Sequence, residues 1–307
     1  MADAVSFFLV HYLHLMSTRK LIVTHHAPDL DAIGAVWMLK RFDAQHFADA
    51  KVAFVNPGTT ITEHELKALE VPADDVIHVD TGQGEFDHHQ PERGHLHVCA
   101  TSLVRDHVLK IHPELEEDHA LSIIADYVTE IDHFEEIYWP DAASYRYSFL
   151  IQELIGGLEY VDPHTDESQL HFGFQCLDSA YGVLTQQVKA NEIINEKGIQ
   201  FTIPQGRCLA IETRNDETIK LAQKAGSVLV IRKDPDLGNI RIKVRPDATF
   251  ELRALADAIL AKDSVGNWYY HPSGKMLLNG STKNKEQKAS ALTLQEIITL
   301  TQEVFGK

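Results

Sequence analysis

The stretch FDHHQ, residues 86–90, sets His88 and His89 side by side after Asp87. Adjacent side chains point to opposite faces of a strand and diverge by about 100° on a helix, so these three converge naturally only in a loop. Loops on a rigid scaffold are where chemistry is usually placed. A second dense stretch, THHAPDLDAIG at 24–34, brings His25, Asp29 and Asp31 into one short segment. Imidazole with carboxylate is a donor set suited to Mn, Fe or Zn, whereas Mg prefers oxygen alone. Taken singly, the same spacing also fits a turn followed by a helix N-cap. Repetition raises the chemical reading: Asp80 closes DVIHVD (75–80), the Asp87, His88, His89 cluster begins seven residues on, and Asp132 sits in TEIDHFEE.

These residues need elements to position them. LIVTHH (21–26) is a β-branched apolar run with a polar end, and AIGAVWMLKRF (32–42) has the apolar spacing of a buried helix face. KVAFVN (51–56) and DVIHVD read as further strands, with ITEHELKALE (61–70) as a helix between them. Alternation at this pace implies an α/β architecture with a parallel sheet. Ligands of such sheets bind beyond the carboxyl ends of the strands, and His25 and Asp80 both fall there. His78, inside its strand, reads as core or as support for the site.

From 101 to 200 the pattern turns helical, and a run ending in charged residues at 197 is the candidate connection between two domains. Strand signal returns in RCLAIET (207–213), SVLVIRK (227–233) and NIRIKVR (239–245), with helices over 250–262 and 292–305. The expected organisation is an N-terminal extension over 1–19, a metal-binding domain over 20–165, a helical connection over 166–204 and a smaller α/β domain over 205–307, with the active site in the cleft between the domains.

A length of 307 residues suits two cores better than one. Three widely spaced cysteines support neither a disulfide framework nor a CxxC metal site, and a reducing, cytoplasmic setting is the simplest reading. The apolar start lacks the basic flank of a signal peptide and is too short for a bilayer, so no membrane is expected. The net charge of −17 is divided unevenly: residues 1–199 carry −21 and residues 200–307 carry +4. Seventeen of the 18 histidines precede residue 172. An acidic, His-rich part able to hold cations is thus joined to a basic part able to hold an anion, although most of the acids simply solvate the surface.

The four clusters HHAPDLDAIG, VIHVD, FDHH and EID, in this order, resemble the DHH phosphoesterase superfamily, over roughly residues 20–135. That group includes RecJ-type exonucleases, oligoribonucleases, cyclic dinucleotide phosphodiesterases and family II pyrophosphatases. FDHHQ, its short gap from Asp80 and the late His and Gly motif are more similar to the melanocyte proliferating gene (Myg) branch, whose characterised members are assigned as RNA exonucleases. The resemblance implies two divalent ions, Mn²⁺ first, with Mg²⁺ or Co²⁺ as alternates. His25 and Asp29 would hold one ion, Asp31, His88 and Asp132 the other, and Asp80 would bridge both. His26 competes with His25, which is favoured because it keeps the family's spacing to Asp29. Asp87 would hold the second nitrogen of His88 and fix its tautomer. His89 would face the phosphate, as donor or general acid.

In the basic part, NIRIKVR alternates apolar and cationic residues, which puts Arg241, Lys243 and Arg245 on one face of a strand. That face either turns toward phosphates or protects an exposed edge strand. NWYYHPSGKMLLNGST (267–282) is similar to the substrate-gripping motif of the DHH-associated domain. His271, Gly274, Gly280 and Lys283 would cradle a phosphate there, with Trp268 or Tyr269 free for base stacking; a structural hairpin is the alternative.

The expected activity is a metal-dependent phosphoesterase that cleaves phosphodiester bonds of a small nucleotide or short single-stranded RNA or DNA. Net acidity argues against holding long duplex nucleic acid. A phosphatase or pyrophosphatase on a small metabolite, and a non-catalytic metal- or nucleotide-binding regulatory module, are the alternatives. A homodimer is left open.

Overall fold

The structure is a computed structural model that describes residues 21–163, 165–280, 286 and 288–306. The expected N-terminal extension and Lys283 lie outside the described residues. The chain divides into two compact units, the first ending at Leu184 and the second beginning at Thr185.

In the first unit, β1 (Leu21–His25), β2 (Lys51–Val55) and β3 (Val76–His78) form a parallel sheet in the order β2-β1-β3. The central strand is apolar on both faces, as a covered parallel sheet requires. Its Ile22 joins the main core, while Leu21 and Val23 pack with Val55 and Leu66 on the other side. Leu66 belongs to a helix over Glu63–Leu69.

The main core is helical. It gathers Ile33, Val36 and Trp37 of α1 (Leu30–Phe42), Val104 of α2 (Ala100–Ile111), Leu121 and Ile124 of α3 (His119–Asp132), Ile155 of α4 (Ile151–Val161) and Leu177 of α5 (Asp166–Lys197). Gly34 allows α1 to close on α2, because a Cβ there would stand 2.5 Å from Thr101 Oγ1. That hydroxyl donates to the Asp31 carbonyl at 2.9 Å, tying the start of α1 to α2. Trp37 is anchored in the same way, its indole N–H donating to Asp178 of α5 at 2.9 Å.

The division between units falls within α5. The stretch expected as a helical connection over 166–204 is this helix followed by a strand, β4 (Ile199–Ile203). In the second unit, β4 pairs with β5 (Gly206–Glu212). The sheet continues through β6 (Leu229–Lys233), β7 (Ile240–Val244), β8 (Trp268–Tyr270) and β9 (Met276–Asn279). Its order is β4-β5-β6-β7-β9-β8, with β5 and β6 parallel and the other pairs antiparallel. One face packs Ile231 and Ile242 with Leu255, Ile259 and Ile297 of two helices, Arg253–Lys262 and Leu294–Phe305. The other packs Leu209 and Val230 with Ile219 of a short helix, Glu217–Lys224. The fold class is therefore α/β, with a parallel-sheet unit and a separate mixed-sheet unit. Among the described residues no helix is long and apolar enough to cross a membrane.

Candidate metal centre

The donors sit where strands and helices of the first unit end. Asp29 caps α1, its Oδ1 accepting the N–H groups of Asp31 and Ala32 at 3.0 Å each. The N-cap and ligand readings of this motif are thus compatible, since capping occupies one carboxylate oxygen. Asp31, buried in the first turn of α1, accepts from the Ala100 and Thr101 amides at 2.7 Å each. Those amides open α2, so the buried anion meets the positive end of a helix. Asp80 follows β3 in left-handed backbone, φ 53°, which aspartate tolerates better than most residues. Asp132 closes α3.

Asp80 is the hub. Its Oδ2 lies 3.2 Å from His25 Nε2 and its Oδ1 lies 3.3 Å from His88 Nε2. His88 Nε2 also faces Asp132 Oδ2 at 3.6 Å and Asp31 Oδ2 at 3.7 Å. Three overlapping sets result, His25, Asp29 and Asp80; Asp31, His88 and Asp132; Asp80, His88 and His89, each with ligand atoms within 4.8 Å of one another. Asp80 Oδ1 and His88 Nε2 are buried and have no hydrogen-bond partner. They face each other only as an ion pair at 3.3 Å, and a divalent cation would take a lone pair from each. The donor set fits such ions.

The electrostatics point the same way. Burial opposes charge on His25, but Asp80 and Asp29 outweigh it and raise the ring to about 9. His88 is likewise raised to about 9 against its burial, by Asp80, Asp132 and Asp31. Burial, with the fields of Asp80 and Asp132, pushes Asp31 up to about 8, and burial lifts Asp132 to about 6. Asp80 is held below the usual carboxylate range because its two histidines overcome the cost of burial. Without cations, protons on the imidazoles balance the crowded carboxylates.

Two expectations need correction. Asp87 does not hold His88: its Oδ1 accepts from the His89 backbone N–H at 3.1 Å and pairs with His89 Nδ1 at 2.8 Å, while Oδ2 accepts from Gln83 N–H at 2.6 Å. The loop folds back on itself around this carboxylate, which leaves His88 to Asp31, Asp80 and Asp132. The edge-strand reading of NIRIKVR also fails, because β7 is paired on both sides, to β6 and β9.

Of the two adjacent histidines, His25 faces Asp80 at 3.2 Å. His26 turns to Asp166 at 2.7 Å, and the same carboxylate accepts the Ala27 N–H at 2.7 Å. Asp166 thus clamps the β1–α1 loop, a role that no local pattern announced. His78 Nε2 accepts the Ile61 N–H at 3.3 Å and takes a supporting position. His97 pairs with Glu135 and stacks on His133, their ring centroids 4.6 Å apart.

In the second unit, Arg241 pairs with Asp216 and Arg245 with Asp247. Arg232, buried and opposite Arg241 in the sheet, reaches Asp216 as well. Lys243 has no carboxylate partner among the described residues, and burial followed by the field of Arg241 lowers its pKa. The segment with His271, Gly274 and Gly280 forms the β8–β9 hairpin. Gly274 and Gly280 have φ of 73° and 83°, left-handed values that suit glycine. His271 Nδ1 is engaged by Ser273. Trp268 packs against the core of this unit and its indole N–H donates to Asp263 at 2.8 Å, whereas Tyr269 is exposed.

A cavity of about 540 Å³ opens beside the donor cluster and reaches Asp29, Asp31, His88, His89 and Asp132. Its far wall comes from the 3₁₀ segment Glu135–Tyr138 and from α4 and α5, and includes Glu136, Gln152 and Gln169. These residues lack any motif and were not legible as site residues.

No family model matches the chain, and no curated protein matches it. Solved structures do resemble it. A DHH-domain protein described as a member of the s1p family of ribosomal proteins aligns at 16% identity and a TM-score of 0.33, over 94% of this chain and 87% of that one. RecJ from Thermus thermophilus, in complex with Mn²⁺, aligns at 12% identity and a TM-score of 0.31, over 96% of this chain and 53% of RecJ. CDC45 from Entamoeba histolytica aligns at 11% identity and a TM-score of 0.33, over 98% of this chain and 99% of CDC45.

Proposed function

We propose that this protein is a divalent-metal-dependent phosphoesterase of the DHH type, cleaving phosphodiester bonds in short RNA or other small nucleotides. The observation that carries the reading is the sharing of Asp80 and His88 between overlapping donor sets. His25, Asp29 and Asp80 would hold one ion and Asp31, His88 and Asp132 another, with Asp80 common to both. Bound ions supply the positive charge that makes water nucleophilic at neutral pH and stabilises a phosphoryl transition state. Mn²⁺ is the first choice for this mixed set.

The chain's own residues do the rest. Asp31 keeps its position through the α2 amides and Asp29 through its cap. The amides of His89 and Gln83, with the His89 ring, hold Asp87 below the usual carboxylate range against its burial. An ionised Asp87 only accepts hydrogen bonds, so His89 Nδ1 carries the proton between them. That commits Nδ1 and leaves Nε2 of the largely exposed ring for the substrate. When protonated, it donates to a phosphoryl oxygen or to the leaving group. In the second unit, Lys243, without a carboxylate partner among the described residues, is the candidate cation for a substrate phosphate.

Purified protein with Mn²⁺, offered short RNA, cyclic dinucleotides, pyrophosphate and a generic phosphodiester, tests the reading. Turnover of RNA or the diester is expected. Turnover of pyrophosphate alone would favour a pyrophosphatase, and metal binding without any turnover would favour a regulatory module.

A further inference from the structure

We propose that the cavity beside the donor cluster seats an amino-bearing nucleobase of the substrate, an inference that rests on the phosphoesterase reading and narrows it. The cavity, about 540 Å³, lies within the usual range of roughly 300–1,000 Å³ for small-molecule sites. Its wall holds polar groups left without partners. Gln169 is 4% exposed and lines the cavity, and among the described residues nothing hydrogen-bonds its side chain. Gln152 Nε2 and Glu136 Oε2 are also buried and unpaired, while Gln152 Oε1 is held by the Tyr127 hydroxyl at 2.8 Å. Buried polar atoms are normally satisfied by protein, water or ligand, so this wall is built to take hydrogen bonds from something that enters.

The chemistry of the wall selects the ligand. Glu136 and Glu153 are acceptors that repel a second phosphate, which confines the anionic part of the substrate to the donor-cluster end. Buried Ile155 and the exposed ring of Phe134 add apolar surface suited to a flat, uncharged group. Adenine and cytosine each offer an amino donor beside a ring-nitrogen acceptor. The amino group would donate to Glu136 and the ring nitrogen would accept from Gln152, with Gln169 completing the set. Uracil offers one donor between two carbonyls, and those carbonyls would face carboxylates.

Calorimetric titration of the full-length, Mn²⁺-loaded protein with AMP, UMP and ribose 5-phosphate tests this. AMP should bind about tenfold tighter than either of the others, the ratio expected for one extra hydrogen bond to a charged group. Gln169→Leu and, separately, Glu136→Gln should each remove most of that advantage and leave ribose 5-phosphate binding unchanged. Equal affinity for the three ligands, or an unchanged AMP advantage in both variants, would overturn the base site. Turnover of a generic phosphodiester with Mn²⁺ is read in parallel. Turnover without base preference sinks only this inference, whereas base preference without turnover of any diester sinks the catalytic reading.

Discussion

Oδ1 of Asp80 lies 3.3 Å from Nε2 of His88, and neither buried atom has a hydrogen-bond partner. The other Asp80 oxygen is bonded to His25, so one carboxylate faces both halves of the donor cluster. Asp80→Asn retains the size and the tolerance of left-handed backbone but removes the shared charge. Activity should fall to background and Mn²⁺ affinity by at least about 100-fold, beyond the usual effect of altering a group behind the ligands. Titration with Mn²⁺ and a turnover assay check this, and full activity in the variant is incompatible with a shared-carboxylate centre.

The proton balance of the cluster makes a second prediction. His25 and His88, raised to about 9, and Asp31, raised to about 8, hold protons that a cation must displace. Metal affinity should therefore rise with pH across roughly 6–9, with protons released on binding. Metal-free stability has the opposite sign. Each group binds its proton more tightly when folded, so its contribution is complete below the unfolded pKa and is lost as pH rises through the folded value. The metal-free Tm should fall between about pH 6.5 and 9, while the rise in Tm on adding Mn²⁺ grows. Calorimetry in buffers of different ionisation enthalpy measures the released protons, and a pH-independent affinity would contradict the assignment.

Much of the cluster could be picked out because each motif is a local strand end or loop, with HHAPDLD and FDHH each holding several donors within a few residues. Orientation was not, because it depends on residues distant in sequence. His26 is drawn off by Asp166, 140 residues away, and Asp87 meets His89 only because the backbone turns back over Gln83. The hairpin alternative for 267–282 is what forms, with WYY and MLLN pairing as β8 and β9. The cavity wall joins Glu136, Gln152 and Gln169 from three helical segments, so no window of sequence contains it.

Lys243 differs from its neighbours on β7. Arg241 is engaged by Asp216, whereas Lys243 has no carboxylate partner among the described residues. Lys243→Ala should raise KM by about tenfold and leave kcat nearly unchanged, the signature of lost uniform binding. Steady-state kinetics on a short RNA would show it, and an unaltered KM would return this strand to a purely structural role.

Gly34→Ala would place a methyl group 2.5 Å from Thr101 Oγ1, inside the α1–α2 contact that carries Asp31. The crowding should cost about 1–3 kcal/mol, read by urea unfolding. Because the clash is with one side chain, Thr101→Ala in the same chain should recover part of the loss. Strictly additive effects would show that the helices shift apart instead.

Asp87 separates the two histidines experimentally. It touches His89 through both the ring and the backbone, whereas the His88 ring faces Asp31, Asp80 and Asp132 instead. Asp87→Asn keeps the shape but turns a carboxylate that only accepts into an amide that also donates, so the His89 ring loses its fixed orientation. The expected result is a fall in kcat of about 10²–10⁴-fold, the usual worth of a positioned acid, with Mn²⁺ affinity nearly unchanged. His89→Gln should give the same pattern, and the double variant should be little worse than either single one, since both changes disable one unit. His88→Gln, by contrast, should lose metal. Had Asp87 supported His88, Asp87→Asn would share that metal loss, and equal Mn²⁺ titrations for wild type and Asp87→Asn distinguish the two arrangements.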